Sequence, residues 1–151
     1  MSPFVLKSSS PTRFYRPKVQ KHELSIQRQV ASYLREEFTH INDFHSDYAA
    51  GLHLTKHQAL VNKSIQSGRG WSDMFIPYPS RGYHGIFLEL KRDNVSIYVT
   101  RGNRKGQLVA DEQIQIEAAF LKRMNDLGYF ARFAVGYNVA KKIIDWYMEC
   151  K

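Results

Sequence analysis

The run Gly85-Ile86-Phe87-Leu88-Glu89-Leu90-Lys91 constrains this chain more than any other segment. It is short and apolar, and it follows Pro79-Ser80-Arg81-Gly82, whose residue types favour a tight turn. Side chains alternate along a strand, so Ile86, Leu88 and Leu90 share one face while Phe87, Glu89 and Lys91 share the other. A carboxylate and an ammonium thus leave one rigid backbone in the same direction, and that end of the face is something other than plain core. The strand-like run Trp71 to Tyr78 precedes the turn and carries Asp73. In a regular hairpin centred on Arg81, residues pair when their numbers sum to about 162, which sets Asp73 opposite Glu89 with Cβ atoms about 5 Å apart. Like charges so placed repel, and a sheet has little reason to keep them without a cation.

Helical spacing brackets this hairpin. From His22 to Phe38, Leu24, Ile26, Val30, Ala31, Leu34 and Phe38 recur as one face. Glu23 and Gln27 fall on that same face. A carboxylate on a core-facing stripe is costly unless it is paired, hydrogen-bonded or near a metal. At the first turn, Glu23 also has the option of facing solvent and favouring the helix dipole. Asp111 is the expected N-cap of a helix running to Leu127, stopped by Gly128. Gln113 and Glu117 project from its apolar face, where Gln113 is within reach of Lys91, a water or a phosphate and Glu117 has a nearby cation as its natural partner. Ile41 to Tyr48 gives a weak strand pattern, Val95 to Thr100 a short strand, Tyr129 to Val135 a further strand, and Asn138 to Met148 an amphipathic helix. The fold class is therefore α/β, a small mixed sheet flanked by helices.

Residues 1–20 hold Lys7, Arg13, Arg16 and Lys18 without an acid and read as a flexible basic arm, leaving 21–151 as one domain. The stretch Gly51 to Gly70 is polar and basic. Its His53 and His57 are four apart, but the Glu of a zinc-binding His-Glu-x-x-His motif is missing, so solvated residues of a loop or short helix are expected. Across the chain 22 Lys and Arg outweigh 14 Asp and Glu, a formal charge of +8. Such an excess suits a polyanion, because each cation that neutralises a phosphate releases a condensed counterion. Arg69, Arg92, Arg101, Arg104 and Lys105 are the expected contacts to backbone phosphates, and nothing suggests a base-reading helix. The lone Cys150 excludes an internal disulfide framework and a Cys-based zinc site. No apolar run is long enough to span a bilayer, and no membrane partner or organic cofactor is expected.

The cation that Asp73 and Glu89 require is best supplied as Mg²⁺, a hard ion that takes oxygen ligands and retains several waters. The backbone carbonyl of Leu90, waters and a phosphate oxygen would complete its shell. This is the equipment of phosphodiester hydrolysis, with Lys91 positioning a water or stabilising charge on the transition state.

Taken together, Glu23-x-x-x-Gln27, Gly70-Trp71-Ser72-Asp73, Glu89-Leu90-Lys91 and Gln113 ahead of Gly128-Tyr129 resemble the VRR-NUC nucleases of the PD-(D/E)xK, restriction-endonuclease-like superfamily. The resemblance covers roughly residues 20–151, as in small stand-alone members from phages and bacteria. It implies an αβββαβ core with Ile41–Tyr48 as first strand and an extra C-terminal helix. It further implies Mg²⁺ or Mn²⁺ at Asp73 and Glu89, with Glu23, Lys91 and Gln113 completing the catalytic set and Gln27 supporting it. Members of this type look like homodimers that cut branched DNA such as Holliday junctions, which places the protein in the cytoplasm of a bacterial cell or phage-infected host. Ser72 stands where the family often has Pro, and the basic stretch from Gly51 to Ser67 has no counterpart role. A symmetric pair would present two sites to opposite strands, and Trp146-Tyr147-Met148 is a candidate surface for it. The rival readings are a basic module that holds branched DNA without cutting it and a metal-dependent RNase.

Overall fold

A computed structural model describes residues 20–41, 43–47, 54–68 and 70–149. Residues 1–19 of the proposed arm, Arg69, His53, Tyr48 and Cys150 lie outside the described residues, and Gln20 is already helical. In chain order the elements are α1 (Gln20–Glu37), β1 (His45–Ser46), α2 (Lys56–Ile65), β2 (Met74–Ile76), β3 (Ile86–Lys91), α3 (Glu112–Asp126), β4 (Phe130–Val135) and α4 (Tyr137–Met148). The strands form one sheet in the order β1-β2-β3-β4. The first two pairings are antiparallel, and β4 joins β3 in parallel after the α3 crossover.

The alternation along β3 divides the interior as its sequence requires. Ile86, Leu88 and Leu90 pack with Met74 and Ile76 against Ile26, Val30 and Leu34 of α1 and Ala140, Ile144 and Tyr147 of α4. On the opposite face Phe87 meets Phe120 and Leu121 of α3, with Ala131 beneath. Strand β3 is buried along its whole length, so its two polar residues are inside the protein.

The β2–β3 ladder runs Met74↔Leu88, Phe75↔Phe87 and Ile76↔Ile86, the register expected from a turn centred on Arg81. It stops short of Asp73. The turn itself is less regular, because Ser80 bridges Tyr83, leaving three residues on one arm against two on the other. Arg81 adopts a positive φ of 53° there and donates from its guanidinium to the Trp146 carbonyl.

Several boundaries differ from the sequence expectation. The first strand is only His45–Ser46. Val95 to Thr100 forms no strand of the sheet; Tyr98 bridges Leu108, and Val99 and Gln107 close a local turn. Within the basic stretch, Lys56–Ile65 folds into α2, which carries a capping box at Thr55 and Gln58 but buries no side chain. Tyr147 is fully buried and donates its hydroxyl to the Tyr78 carbonyl at 2.8 Å. The segment Trp146-Tyr147-Met148 is thus committed to the chain's own core at its middle residue, and Trp146 alone of the three is exposed. Asp111 caps α3 through the Ile114 amide, as expected. Among the described residues no helix is long and apolar enough to cross a membrane.

Candidate active site

The start of β2 sets the geometry of the site. Along β3, the peptide groups of Ile86, Leu88 and Leu90 face β2, but β2 begins only at Met74 and offers no backbone partner to Leu90. The Asp73 carboxylate fills that place: its Oδ2 accepts from the Leu90 amide at 2.8 Å. Its Oδ1 accepts from Gln27 Nε2 at 2.9 Å, and the same amide reaches the Asp47 carbonyl at 3.3 Å. Gln27 is thereby a buried polar group whose place on the core face of α1 is explained by its acceptors. Both Asp73 oxygens retain a lone pair beyond these bonds. The Leu90 carbonyl points to the same edge of β3 as its amide, so it belongs to the same opening.

On the α3 face, Lys91 Nζ lies 2.8 Å from Glu89 Oε1 and 2.7 Å from Glu117 Oε2. The second contact is an ion pair whose angle falls outside hydrogen-bond geometry. All three side chains are nearly enclosed. Gln113, with Lys91 among its expected partners, instead donates to Glu117 Oε1 at 2.8 Å and touches the cluster one step further out. Removal from water pushes both acids of the β2–β3 edge upward. For Asp73 burial outweighs the Leu90 hydrogen bond and the Lys91 charge, raising it to about 6. For Glu89 burial comes first and the Asp73 charge second, raising it to about 9. Burial alone would lower Lys91, but the Glu89 charge, the Glu117 ion pair and the Glu89 hydrogen bond hold it above its ordinary value. A 2.8 Å contact is that of an ammonium on a carboxylate, so Glu89 keeps its charge when Lys91 does. Burial is the larger cause of both upward shifts, and a single ammonium serves Asp73, Glu89 and Glu117.

These groups open into a cleft of about 590 Å³. Its described lining includes six acids (Glu23, Asp47, Asp73, Glu89, Asp111 and Glu117) and one cation, Lys91, in a chain whose overall charge is +8. Glu23 sits at the rim, half-buried, with Oε1 4.0 Å from Arg92 Nε. A hard divalent cation suits this chemistry. Among the described residues no group of three or more His, Cys, Asp or Glu side chains is placed to hold a metal by itself. The donors on hand at the β2–β3 edge are two carboxylates and a peptide carbonyl, a partial oxygen set of the kind Mg²⁺ or Mn²⁺ completes with water and phosphate.

Among solved structures, a VRR_NUC domain protein matches this chain with a TM-score of 0.60 at 18% sequence identity, over 85% of this chain and 88% of that one. The two share a fold. No family profile matches the sequence, and no curated protein does. The α/β architecture with a mixed four-stranded sheet is that of the restriction-endonuclease-like class, with α2 inserted between β1 and β2.

Asp73, Glu89, Lys91, Gln113 and Glu23 line one cleft, and Gln27 buttresses it. The proposed phosphate contacts do not gather there. Arg92 stands at the Glu23 rim, whereas Arg101, Arg104 and Lys105 occupy an exposed loop outside the cleft lining. Three acids of the cleft were not singled out from sequence as part of the site: Asp47, brought beside Asp73 by the β1–β2 pairing, Asp111, read only as the N-cap of α3, and Glu117, whose partner proves to be Lys91. Glu117 had a visible signal, a carboxylate on the apolar stripe of α3. Asp47 had none, because a two-residue strand leaves no pattern.

Proposed function

We propose that this protein is a Mg²⁺- or Mn²⁺-dependent DNA endonuclease, selective for branched DNA such as four-way junctions and acting as a symmetric dimer in the cytoplasm. The observation that carries the reading is the charge inversion: a buried carboxylate cluster short of positive charge, at the base of a cleft, in a basic protein of VRR_NUC fold. An acidic cleft would repel a phosphodiester unless a cation stood between them.

Asp73, Glu89 and the Leu90 carbonyl would hold the ion. When bound, a divalent ion supplies Lewis-acid polarisation of a phosphoryl oxygen and a water of lowered pKa. The chain's own contributions follow from its contacts. Gln27 and the Leu90 amide fix the Asp73 carboxylate in one orientation. Glu117 and Gln113 restrain the Lys91 ammonium from the α3 side. Lys91, held beside Glu89 and Glu117 in the same cleft, would bring positive charge to the developing transition state. Arg92, with Arg101, Arg104 and Lys105 on the flanking loop, supplies a sequence-independent grip on the backbone. Two sites related by a two-fold axis meet the need for paired cuts on opposite strands.

The test is cleavage of end-labelled linear duplex, flap and four-way-junction DNA, and of RNA, with Mg²⁺, Mn²⁺, Ca²⁺ or EDTA. The reading expects junction or flap cleavage with Mg²⁺ and Mn²⁺ alone. Tight junction binding without cleavage in any metal would leave a non-catalytic module, and cleavage confined to RNA would make the protein an RNase.

A further inference from the structure

The outer wall of the cleft carries chemistry that phosphate hydrolysis does not use. Trp71 lies two residues before Asp73 and lines the same cleft, yet 48% of it is exposed. It is not a loose surface residue. Its ring meets Phe87 at 6.1 Å and Phe120 at 5.3 Å between centroids, and its indole N–H donates to Ser67 Oγ at 3.4 Å. Gly70 fixes the approach, with φ at +87° and its Cα so close to α3 that a Cβ would stand 2.7 Å from Ile116 Cγ2. A large aromatic is therefore braced from within, held at its edge and left bare beside the catalytic carboxylates.

The neighbouring wall is α2, which contributes Asn62 and Gln66 to the cleft. Outside the cleft lining it also carries Lys56 and Lys63, and the sequence has no acid between Asp47 and Asp73. Its charge is thus opposite to that of the carboxylate floor. A braced indole beside a basic helix is the combination that holds unpaired nucleic acid, where bases stack on aromatic faces while cations track the backbone. A base still paired and stacked within a duplex has no face to offer.

We infer that Trp71 is a stacking platform for an unpaired base next to the scissile phosphate, and that it makes the cleft prefer distorted or branched DNA over continuous duplex. This rests on the nuclease reading of the same cleft and adds the feature by which it selects substrate. The chain has two tryptophans, so Trp146→Phe leaves Trp71 as the only indole reporter.

In that background, with Ca²⁺ and no turnover, a single-stranded oligothymidylate of about 12 nucleotides should quench Trp71 emission on binding, and a blunt duplex of equal length should quench it far less. Anisotropy of labelled DNA measures binding independently. Trp71→Leu, which keeps apolar bulk against Phe87 and Phe120, should weaken the single strand about 5- to 100-fold and the duplex little. Unchanged emission at saturating oligonucleotide would overturn the inference, as would equal losses for both probes, the mark of a structural role. Thermal unfolding of Trp71→Leu checks that the variant is folded; if it is not, the quenching measurement decides alone. Quenching without cleavage in Mg²⁺ or Mn²⁺ would retain the platform and refute the nuclease. Cleavage without quenching would do the reverse, and no binding of the single strand would overturn the platform.

Discussion

Replacing Lys91 by Met in metal-free protein removes the one ammonium from a cluster of nearly enclosed carboxylates. Glu89 and Glu117 are each 4% exposed, and both lose their ion pair. Breaking a buried pair by deleting one partner costs about 3–5 kcal/mol. Protonation sets a ceiling on that cost. Neutralising one glutamate of ordinary pKa takes about 5 kcal/mol near pH 8 and about 1 kcal/mol near pH 5. The variant should therefore lose about 3–5 kcal/mol near pH 8, where charge is expensive to discharge, and roughly 1 kcal/mol near pH 5. At about 3–4 °C per kcal/mol for a chain of this size, the melting temperature should drop roughly 10–20 °C at the higher pH and a few degrees at the lower. Thermal unfolding in EDTA, followed by circular dichroism at both pH values, measures this. Glu117→Gln added to Lys91→Met should recover a substantial part of the loss, since only one of the two stranded charges then remains. A drop within about 2 °C at both pH values, or a larger drop at the lower one, would refute the claim that Lys91 neutralises a buried acid cluster.

Other outcomes follow from the same geometry. Asp73 is raised in the fold to about 6, so its protonated form is the one folding favours: in EDTA its contribution is fully present below about pH 4 and is lost as pH rises through about 6, and the melting-temperature gain from Mg²⁺ or Ca²⁺ should grow across that window. A metal-induced gain that shrinks with rising pH would contradict this. Gly136→Ala should destabilise by about 2–4 kcal/mol in chemical denaturation, because φ is +81° and the new Cβ would stand 1.9 Å from Asp93 Oδ1; adding Asp93→Ala should relieve the clash and leave the smaller backbone strain. Deleting residues 1–18 should flatten the slope of log affinity against log salt by roughly one to three units on duplex DNA in Ca²⁺, and an unchanged slope would assign the whole electrostatic grip to the folded domain.

The hairpin was legible because two independent signals agreed. Turn chemistry at Pro79–Gly82 set the centre, and the alternation Ile86/Leu88/Leu90 set the faces. The ladder formed in the expected register although the turn holds an extra residue on one arm. The capping Asp111 and the terminating Gly128 similarly bounded α3. What the sequence could not carry was tertiary. Strand β1 exists only through its pairing with β2, so neither its two-residue length nor the position of Asp47 had a local signature. Helix α2 buries nothing, and without a buried stripe its period is weak. The placement of Asp73 was half legible. Register put it at the Glu89 end of the hairpin, but its turn toward the Leu90 amide depends on where β2 begins. Of the three options open to Gln113, namely Lys91, a water or a phosphate, it does not take the first, because Glu117 stands one turn along the same helix and accepts from it.

The most direct test of the central claim is Mg²⁺-dependent cleavage of a labelled four-way junction by Asp73→Asn beside the wild-type chain. The substitution keeps the size of the side chain and an oxygen for the Leu90 amide, but removes the charge offered to a cation. DNA affinity, measured in Ca²⁺, should stay within about threefold, because the phosphate grip lies elsewhere. The cleavage rate at saturating junction should fall by at least about a thousandfold, the scale expected when a principal transition-state electrostatic element is lost. Wild-type turnover by Asp73→Asn in Mg²⁺, with binding intact, would contradict the account.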